Sequence, residues 1–170
     1  MAETASRERL QPSLLDRLTD NAPESKRETF DQQTLTIRSL RQAVLRDLAW
    51  LLNTTNLAAT EDLSAYPLAA KSTINFGIPG LAGQAAIGNR FSAIDKELAE
   101  AVRVFEPRIQ SDSLMVRSSR GGGANAAVPA LRFEIEGALW ALPVPEQLFV
   151  ETAIDMETRL AVVTDPRNRG

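Results

Sequence analysis

Hydrophobic side chains recur with helical spacing over the stretch from Leu35 to Asn53. Its apolar positions fall on one stripe, and most of its charged residues, including Arg41, Arg46 and Asp47, fall opposite. The stripe is formed by Ile37, Leu40, Val44, Leu48, Leu51 and Leu52. The pattern predicts a long amphipathic helix. Trp50 widens its apolar surface beyond the stripe, which suggests contacts on two sides.

A second helical pattern runs from Ser92 to Arg108. Ser92 and Asp95 have the spacing of a capping box, which predicts that the helix begins at Ser92. Pro107 cannot continue a helix and disfavours helical backbone at the residue before it, so the helix must stop at Glu106. A carboxylate and a guanidinium are thereby placed on either side of a stiff corner.

A shorter amphipathic helix is predicted near the N-terminus, over Leu10–Asp20. Its apolar side is made by Leu14, Leu15 and Leu18. The polar segment Asn21–Asp31 separates it from the rest of the chain. We interpret residues 1–34 as an arm that either docks on a partner or folds back on the core, and both alternatives stay open.

The hydrophobic period changes to two in the C-terminal third, as expected for strands with one buried face. Apolar Leu131, Phe133 and Ile135 alternate with charged residues until Gly137 breaks the pattern. Further strands are predicted at Ser113–Ser118, Leu148–Ile154 and Arg159–Val163. Helices followed by a small antiparallel β-meander indicate an α+β fold. We expect one domain over residues 35–163 and a flexible tail over residues 164–170.

The composition narrows the classes of function. The 170 residues carry 19 Lys and Arg against 22 Asp and Glu, so the net charge of −3 disfavours nucleic-acid binding. No cysteine or histidine is present, which excludes disulfides, zinc–thiolate sites and the Ser-His-Asp triad. We expect no cofactor and no metal. The start of the chain has no apolar signal segment, and charges break every long apolar run, so we expect a cytoplasmic protein without direct membrane insertion.

Several stretches in a fixed order resemble one family. They are LQPSLLDRLTD, the helix VLRDLAWLLNT, the segment from Tyr66-Pro67 to Phe76-Gly77-Ile78-Pro79, the helix that ends in Glu106-Pro107-Arg108, and the strands LRFEIEG and PVPEQLFVETAIDMET. This order resembles the TssE family of small baseplate subunits of bacterial type VI secretion systems. That family is similar in turn to the GPW/gene-twenty-five family of phage baseplate wedge proteins. Gly80 and Arg159 depart from the usual pattern, in which many relatives carry an acidic residue and a glycine, respectively.

The resemblance implies a gene-twenty-five-like baseplate fold and a structural part rather than an enzyme. It implies the wedge subunits TssF and TssG as partners, with TssK nearby, and a position at the inner face of the inner membrane through the baseplate. It also implies that Glu106, Pro107 and Arg108 serve baseplate assembly. We expect each charge to meet an opposite charge, either within the fold or on a partner, and an Arg108→Glu variant to stay folded but leave the wedge.

The resemblance further implies a platform on which the contractile sheath begins to polymerise. Sheath subunits are linked by strand exchange, so a free strand edge could accept a sheath strand. The candidates from the sequence are Leu148–Ile154 and Arg159–Val163.

Two alternatives belong to other classes. A peptidoglycan hydrolase would need two carboxylates about 5 to 10 Å apart across a cleft. Glu106 is a candidate acid, but Asp112, Glu134 or Glu136 would be an arbitrary partner. A free-standing adaptor outside any contractile machine is the other alternative.

Overall fold

The computed structural model describes residues 13–19, 24, 36–80, 91–119, 130–141, 144–155 and 157–168. Four helices precede four strands within these residues. The helices are α1 (Leu14–Leu18), α2 (Ile37–Leu52), α3 (Pro67–Ala70) and α4 (Phe91–Phe105). The strands are β1 (Met115–Ser119), β2 (Ala130–Leu139), β3 (Glu146–Asp155) and β4 (Ala161–Thr164). Short 3₁₀ turns lie at Leu57–Ala59, Thr73–Asn75 and Pro166–Asn168.

The strands form one antiparallel sheet in the order β1-β2-β3-β4, which confirms the α+β prediction. β2 and β3 are paired along their whole length, from Ala130 opposite Asp155 to Leu139 opposite Glu146. Alternate residues of both strands are buried, as the period of two predicted. One face of the sheet therefore carries the core.

Helices α2 and α4 cover that face. Thr36 begins α2 with a capping box, in which its hydroxyl accepts from the Ser39 backbone N–H and the Ser39 hydroxyl accepts from the Thr36 N–H. The shared core contains Leu40, Val44, Leu48 and Leu51 from α2, Ile94, Leu98 and Val102 from α4, and Phe133, Ile135, Leu148 and Val150 from the sheet. Apart from the exposed Ile37, the apolar stripe of α2 is thus buried with that of α4 against one sheet face, as amphipathic patterning requires.

The predicted start of α4 at Ser92 is wrong. Phe91 is already helical, so Ser92 lies inside the helix and cannot be its N-cap. Asp95 does not complete a capping box; its Oδ2 accepts a hydrogen bond from the Ser118 hydroxyl of β1 at 3.2 Å. The carboxylate therefore joins the helix to the first strand.

Gly137 interrupts the alternation but not the strand, because β2 continues through it to Leu139. A Cβ atom at this position would lie 2.6 Å from Cγ2 of Ile109. The glycine leaves room for that side chain to cross the strand. The pattern break therefore reflects a close contact in the core rather than a turn.

The segment between α2 and α4 is joined to the end of α2. Ile78 donates from its N–H to the Thr54 carbonyl and accepts from the Asn56 N–H, at 2.8 and 3.0 Å. Gly77 has φ +127°, and a Cβ there would lie 2.5 Å from the Thr54 carbonyl oxygen, so only glycine fits this approach. Ile78 is buried.

The body of the fold extends beyond residue 163, where the sequence placed the start of a tail. β4 ends at Thr164, and Asp165 is buried and paired with Arg41 of α2 at 2.9 Å. Arg41 also contacts Glu146 at 2.6 Å. One arginine thus ties α2 to the start of β3 and to the chain that follows β4.

Candidate protein-interaction surface

Helix α4 ends at the Glu106-Pro107-Arg108 corner, where the sequence predicted. The N–H of Glu106 still donates to the Val102 carbonyl at 2.8 Å, and the next N–H in the series is absent because residue 107 is proline. The Glu106 carbonyl then accepts from the Ile109 N–H at 3.1 Å, which closes the turn. Glu106 is only 2% exposed, so its carboxylate is directed into the protein.

Arg108 satisfies this buried carboxylate from within the same corner. Its Nε donates to Glu106 Oε1 at 2.6 Å and its Nη2 donates to Oε2 at 2.5 Å. The two parallel bonds form the bidentate fork that suits arginine and carboxylate. The charges of the corner therefore meet each other inside the fold, which is the first of the two predicted pairings.

The corner is also bonded to α2. Arg108 Nη2 lies 2.5 Å from Asp47 Oδ2, and the other oxygen of Asp47 accepts from Arg46 Nε at 2.8 Å. Arg46 Nη1 donates in turn to Asp16 Oδ1 of α1 at 2.5 Å. We call Asp16, Arg46, Asp47, Glu106 and Arg108 the charged cluster. It joins the arm, α2 and the corner through alternating charges.

The charged cluster shifts the pKa values of its members. Burial would lower the pKa of Arg108, but the bonds and charges of Glu106 and Asp47 outweigh it and raise that pKa further above its ordinary range. The hydrogen bond to Asp47 and then the one to Asp16 raise the pKa of Arg46. Both guanidinium groups therefore stay charged at neutral pH.

An Arg108→Glu exchange is therefore a poor test of assembly. It would place a third carboxylate beside those of Glu106 and Asp47, and the first of these is almost fully buried. Like charges at this distance repel, and the buried one would lose its counterion. We expect this variant to be destabilised rather than folded, contrary to the sequence-based expectation.

Helix α1 presents its leucines to solvent. Leu14 is 70% exposed and Leu18 is 74% exposed, Leu15 is also exposed, and α1 has no buried residue. The contact with α2 is made by Asp16, on the polar side of α1. A helix that folds back on its own core normally buries its apolar side. Helix α1 has the opposite orientation, because its polar side contacts the protein and its apolar side faces solvent.

Two tryptophans flank the charged cluster, and sequence reasoning did not single them out as a pair. The guanidinium carbon of Arg46 lies 5.1 Å from the centre of the Trp50 ring, within the range of a cation–π contact. The N–H of Trp140 donates to the Arg108 carbonyl at 2.8 Å. Trp50 is 50% exposed and Trp140 is 63% exposed. The only feature of the sequence that could have indicated their role was the position of Trp50 outside the apolar stripe of α2.

The structure also decides which strand edges are accessible. The predicted edge at Leu148–Ile154 is wrong, because β3 lies between β2 and β4. The edge of β4 is real but partly closed: the Asn53 side chain accepts from the Ala161 N–H at 2.9 Å and donates to the Ala161 carbonyl at 3.0 Å. β1 pairs only with β2 among the described strands.

The geometry does not favour glycoside hydrolysis at Glu106. Both oxygens of its carboxylate are bonded to Arg108, and its side chain is 3% exposed, so a polysaccharide could not reach it. A cavity of about 150 Å³ lies at the C-terminal end of α2 and is lined by residues that include Asn53, Ile154 and Arg159, but not by Glu106. A general acid must lie within hydrogen-bond reach of its substrate.

Comparison with known proteins gives one family. Residues 38–144 match the family model described as baseplate wedge protein gp25, which covers more than half of the chain. No curated protein and no solved structure gives a significant match. Within the residues that the structure describes, no helix has the length and apolar character needed to cross a membrane.

Proposed function

The chain belongs to the gp25-like family of baseplate wedge proteins, and from that membership we propose that it is a structural baseplate subunit of a type VI secretion system. Baseplate wedge proteins are structural parts of phage tails and of machines like them. The secretion-system assignment is supported by the N-terminal PSLLDRLTD, which resembles the TssE branch rather than a phage tail protein. We place the protein in the cytoplasm, at the inner face of the inner membrane through the baseplate.

We propose TssF and TssG as its partners in the wedge, with TssK nearby. The observation that carries this proposal is the orientation of α1. An ion pair of Asp16 with Arg46 holds the polar side of α1 on α2, while Leu14 and Leu18 face solvent. A helix of five residues is unstable alone, so the exposed leucines need an apolar surface on another subunit.

The first experiment tests this arm. We expect the wild-type chain, co-expressed with TssF and TssG, to be recovered in one complex with them. A Leu14→Ser/Leu18→Ser double variant should lose most of that recovery, because its arm no longer has an apolar side. The control is Leu68→Ser, which changes a side chain that is 87% exposed and far from α1 in the sequence. Equal recovery of the two variants would contradict the role of the arm.

We also propose that the sheet initiates sheath polymerisation by accepting a sheath strand. Asn53 already occupies the outward backbone groups of Ala161 in β4, whereas β1 has a neighbour on one side only among the described strands. Unpaired edge groups are what β-augmentation requires. We therefore assign the sheath contact to the outer edge of β1.

Amide hydrogen exchange tests this assignment. When sheath subunits are added to an assembled wedge, the outward-facing amides of Met115–Ser119 should become protected, while those of β4 should keep their exchange rates. Protection in β4 instead would move the contact to the other edge. No new protection in either strand would contradict strand addition, although the wedge role tested above would stand.

A further inference from the structure

Both tryptophans of the chain are at least half exposed, and both are attached to the charged cluster. The contacts run without a gap from the Trp50 ring to Arg46, to Asp47, to Arg108 and, through the Arg108 carbonyl, to Trp140. Single exposed apolar residues are ordinary, but tryptophan is the residue type most enriched at the energetic centres of protein interfaces. The pair therefore marks a candidate contact surface.

The Trp50 ring is held in position before any partner arrives. Arg46 lies over the ring, and Asp47 and Asp16 fix the guanidinium with hydrogen bonds of 2.8 and 2.5 Å. A side chain that is already ordered loses less conformational entropy on binding. The cation–π contact thus orders the ring, while half of the surface of Trp50 remains exposed to a partner.

Trp140 is ordered at its backbone. The residues before and after it, Leu139 and Ala141, are buried in the core, and its N–H is bonded to the Arg108 carbonyl. Its side chain is directed away from the core and is 63% exposed. An aromatic side chain buries about 150–250 Å² when it is covered. Each ring thus offers an apolar area of the size found at interface centres.

The charge of the cluster to which both tryptophans are attached indicates the chemistry of the partner. The charged cluster contains the carboxylates of Asp16, Asp47 and Glu106 but only the guanidinium groups of Arg46 and Arg108. It therefore carries one negative charge in excess. Complementary charges set orientation and specificity across an interface, so one basic side chain on the partner would fit.

We infer that Trp50 and Trp140 are the binding anchors of this surface, and that they receive a segment of a wedge subunit with one Lys or Arg flanked by apolar side chains. The apolar residues of that segment contact the two rings, and its basic group lies against the carboxylates of Asp16 and Asp47. The identity of the partner rests on the proposed function, whereas the anchors follow from this chain alone.

The affinity of the purified chain for the wedge subunits tests the inference, with each alanine variant measured by calorimetry. We expect Trp50→Ala and Trp140→Ala each to weaken binding at least tenfold, and Trp50→Phe, which keeps a ring over Arg46, to weaken it less. Tyr66→Ala is the matched control, because Tyr66 is a 64% exposed aromatic outside the cluster; its affinity should change less than twofold. Circular dichroism would verify that each variant is folded.

The charge is tested separately. Asp16→Asn removes the excess negative charge, so its binding should depend less on salt concentration than that of the wild type. A salt dependence equal to that of the wild type would contradict the basic partner group.

The outcomes separate this inference from the proposed function. Normal affinity of both tryptophan variants, together with loss of binding in the Leu14→Ser/Leu18→Ser variant, would overturn the anchors and leave the wedge role intact. Absence of any binding by the folded wild-type chain would overturn both. A wild-type dimer that becomes monomeric in the tryptophan variants would mean that a second copy covers the rings, which also overturns the inference.

Discussion

Arg108 holds the carboxylate of Glu106 with two hydrogen bonds across Pro107, and it is the only charged partner that the buried carboxylate has among the described residues. Removing one member of a buried pair leaves the other charge without compensation. We expect Glu106→Gln to lower the free energy of unfolding by about 2–4 kcal/mol, measured by urea denaturation.

Asp47→Asn provides the matched control for this prediction. It removes a carboxylate that contacts the same guanidinium, but the Asp47 side chain is 25% exposed rather than 3%. Water can replace the lost bond, so Asp47→Asn should lower the free energy of unfolding by about 1 kcal/mol or less. Equal costs for the two variants would mean that burial does not determine the stability of the corner.

The side-chain amide of Asn53 bonds to the N–H and the carbonyl of Ala161, as the backbone of a neighbouring strand would. We expect Asn53→Ala to lower the free energy of unfolding by about 1–2 kcal/mol. The Ala161 amide should also exchange faster with solvent than in the wild type. Asn53→Asp keeps the acceptor for that N–H but loses the donor to the carbonyl, so the Ala161 amide should remain protected in this variant. Fast exchange in both variants would contradict the pairing.

Gly137 is required by the side chain that crosses it. A Cβ at Gly137 would lie 2.6 Å from Cγ2 of Ile109, so Gly137→Ala should lower the free energy of unfolding by about 1–3 kcal/mol through overpacking. The Ile109→Ala background removes the clashing methyl group. A double-mutant cycle should therefore show that Gly137→Ala costs clearly less in that background. Additive costs would show that the two residues do not interact.

The periodic parts of the fold were predictable because burial of one face repeats along each element. The stripe of α2, except Ile37 at its start, and the alternate residues of β2 and β3 lie in the core. The stop at Pro107 was predictable because it depends on covalent geometry alone.

Contacts between distant parts of the chain were not predictable in the same way. Asp47 and Arg108 are 61 residues apart, and Arg41 and Asp165 are 124 residues apart. Local periodicity assigned Arg41 and Asp47 to the solvent face of α2. It does not indicate which charged residue of another segment contacts them. For the same reason the sequence showed the break in alternation at Gly137 but not its cause, since Ile109 approaches the glycine from another segment.

Asp16 gives the docking of α1 a dependence on pH. Burial would raise the pKa of Asp16, but hydrogen bonds from Ser13 and Arg46 outweigh it and the pKa is lowered. A lowered pKa means that the contribution to stability is present above the pKa of the unfolded chain, about 3.9, and is lost as the pH falls through the folded value. We expect α1 to stay docked through neutral pH and to be released only below about pH 3.9.

NMR titration measures this directly, from the Asp16 carboxyl shift and the amide shifts of α1. Both should follow the same lowered pKa. In Arg46→Ala the pKa of Asp16 should return toward its ordinary value. The amide shifts of α1 should then no longer follow the titration of Asp16. A wild-type pKa at or above the ordinary value would contradict the ion pair.

Arg159 adopts a backbone conformation that favours glycine, with φ +62° in the turn between β3 and β4. A left-handed conformation costs an ordinary L-residue roughly 1–2 kcal/mol, and the Arg159 side chain is exposed, with no hydrogen bond or ion pair among the described residues. We expect Arg159→Gly to raise the free energy of unfolding by about 0.5–1 kcal/mol, since relief of strain is partly offset by the greater entropy of the unfolded chain. Arg159→Ala removes the same side chain but keeps the strain, so its stability should stay close to that of the wild type. Stabilisation of the alanine variant to the same extent would show that the side chain, and not the backbone, is the source of the cost.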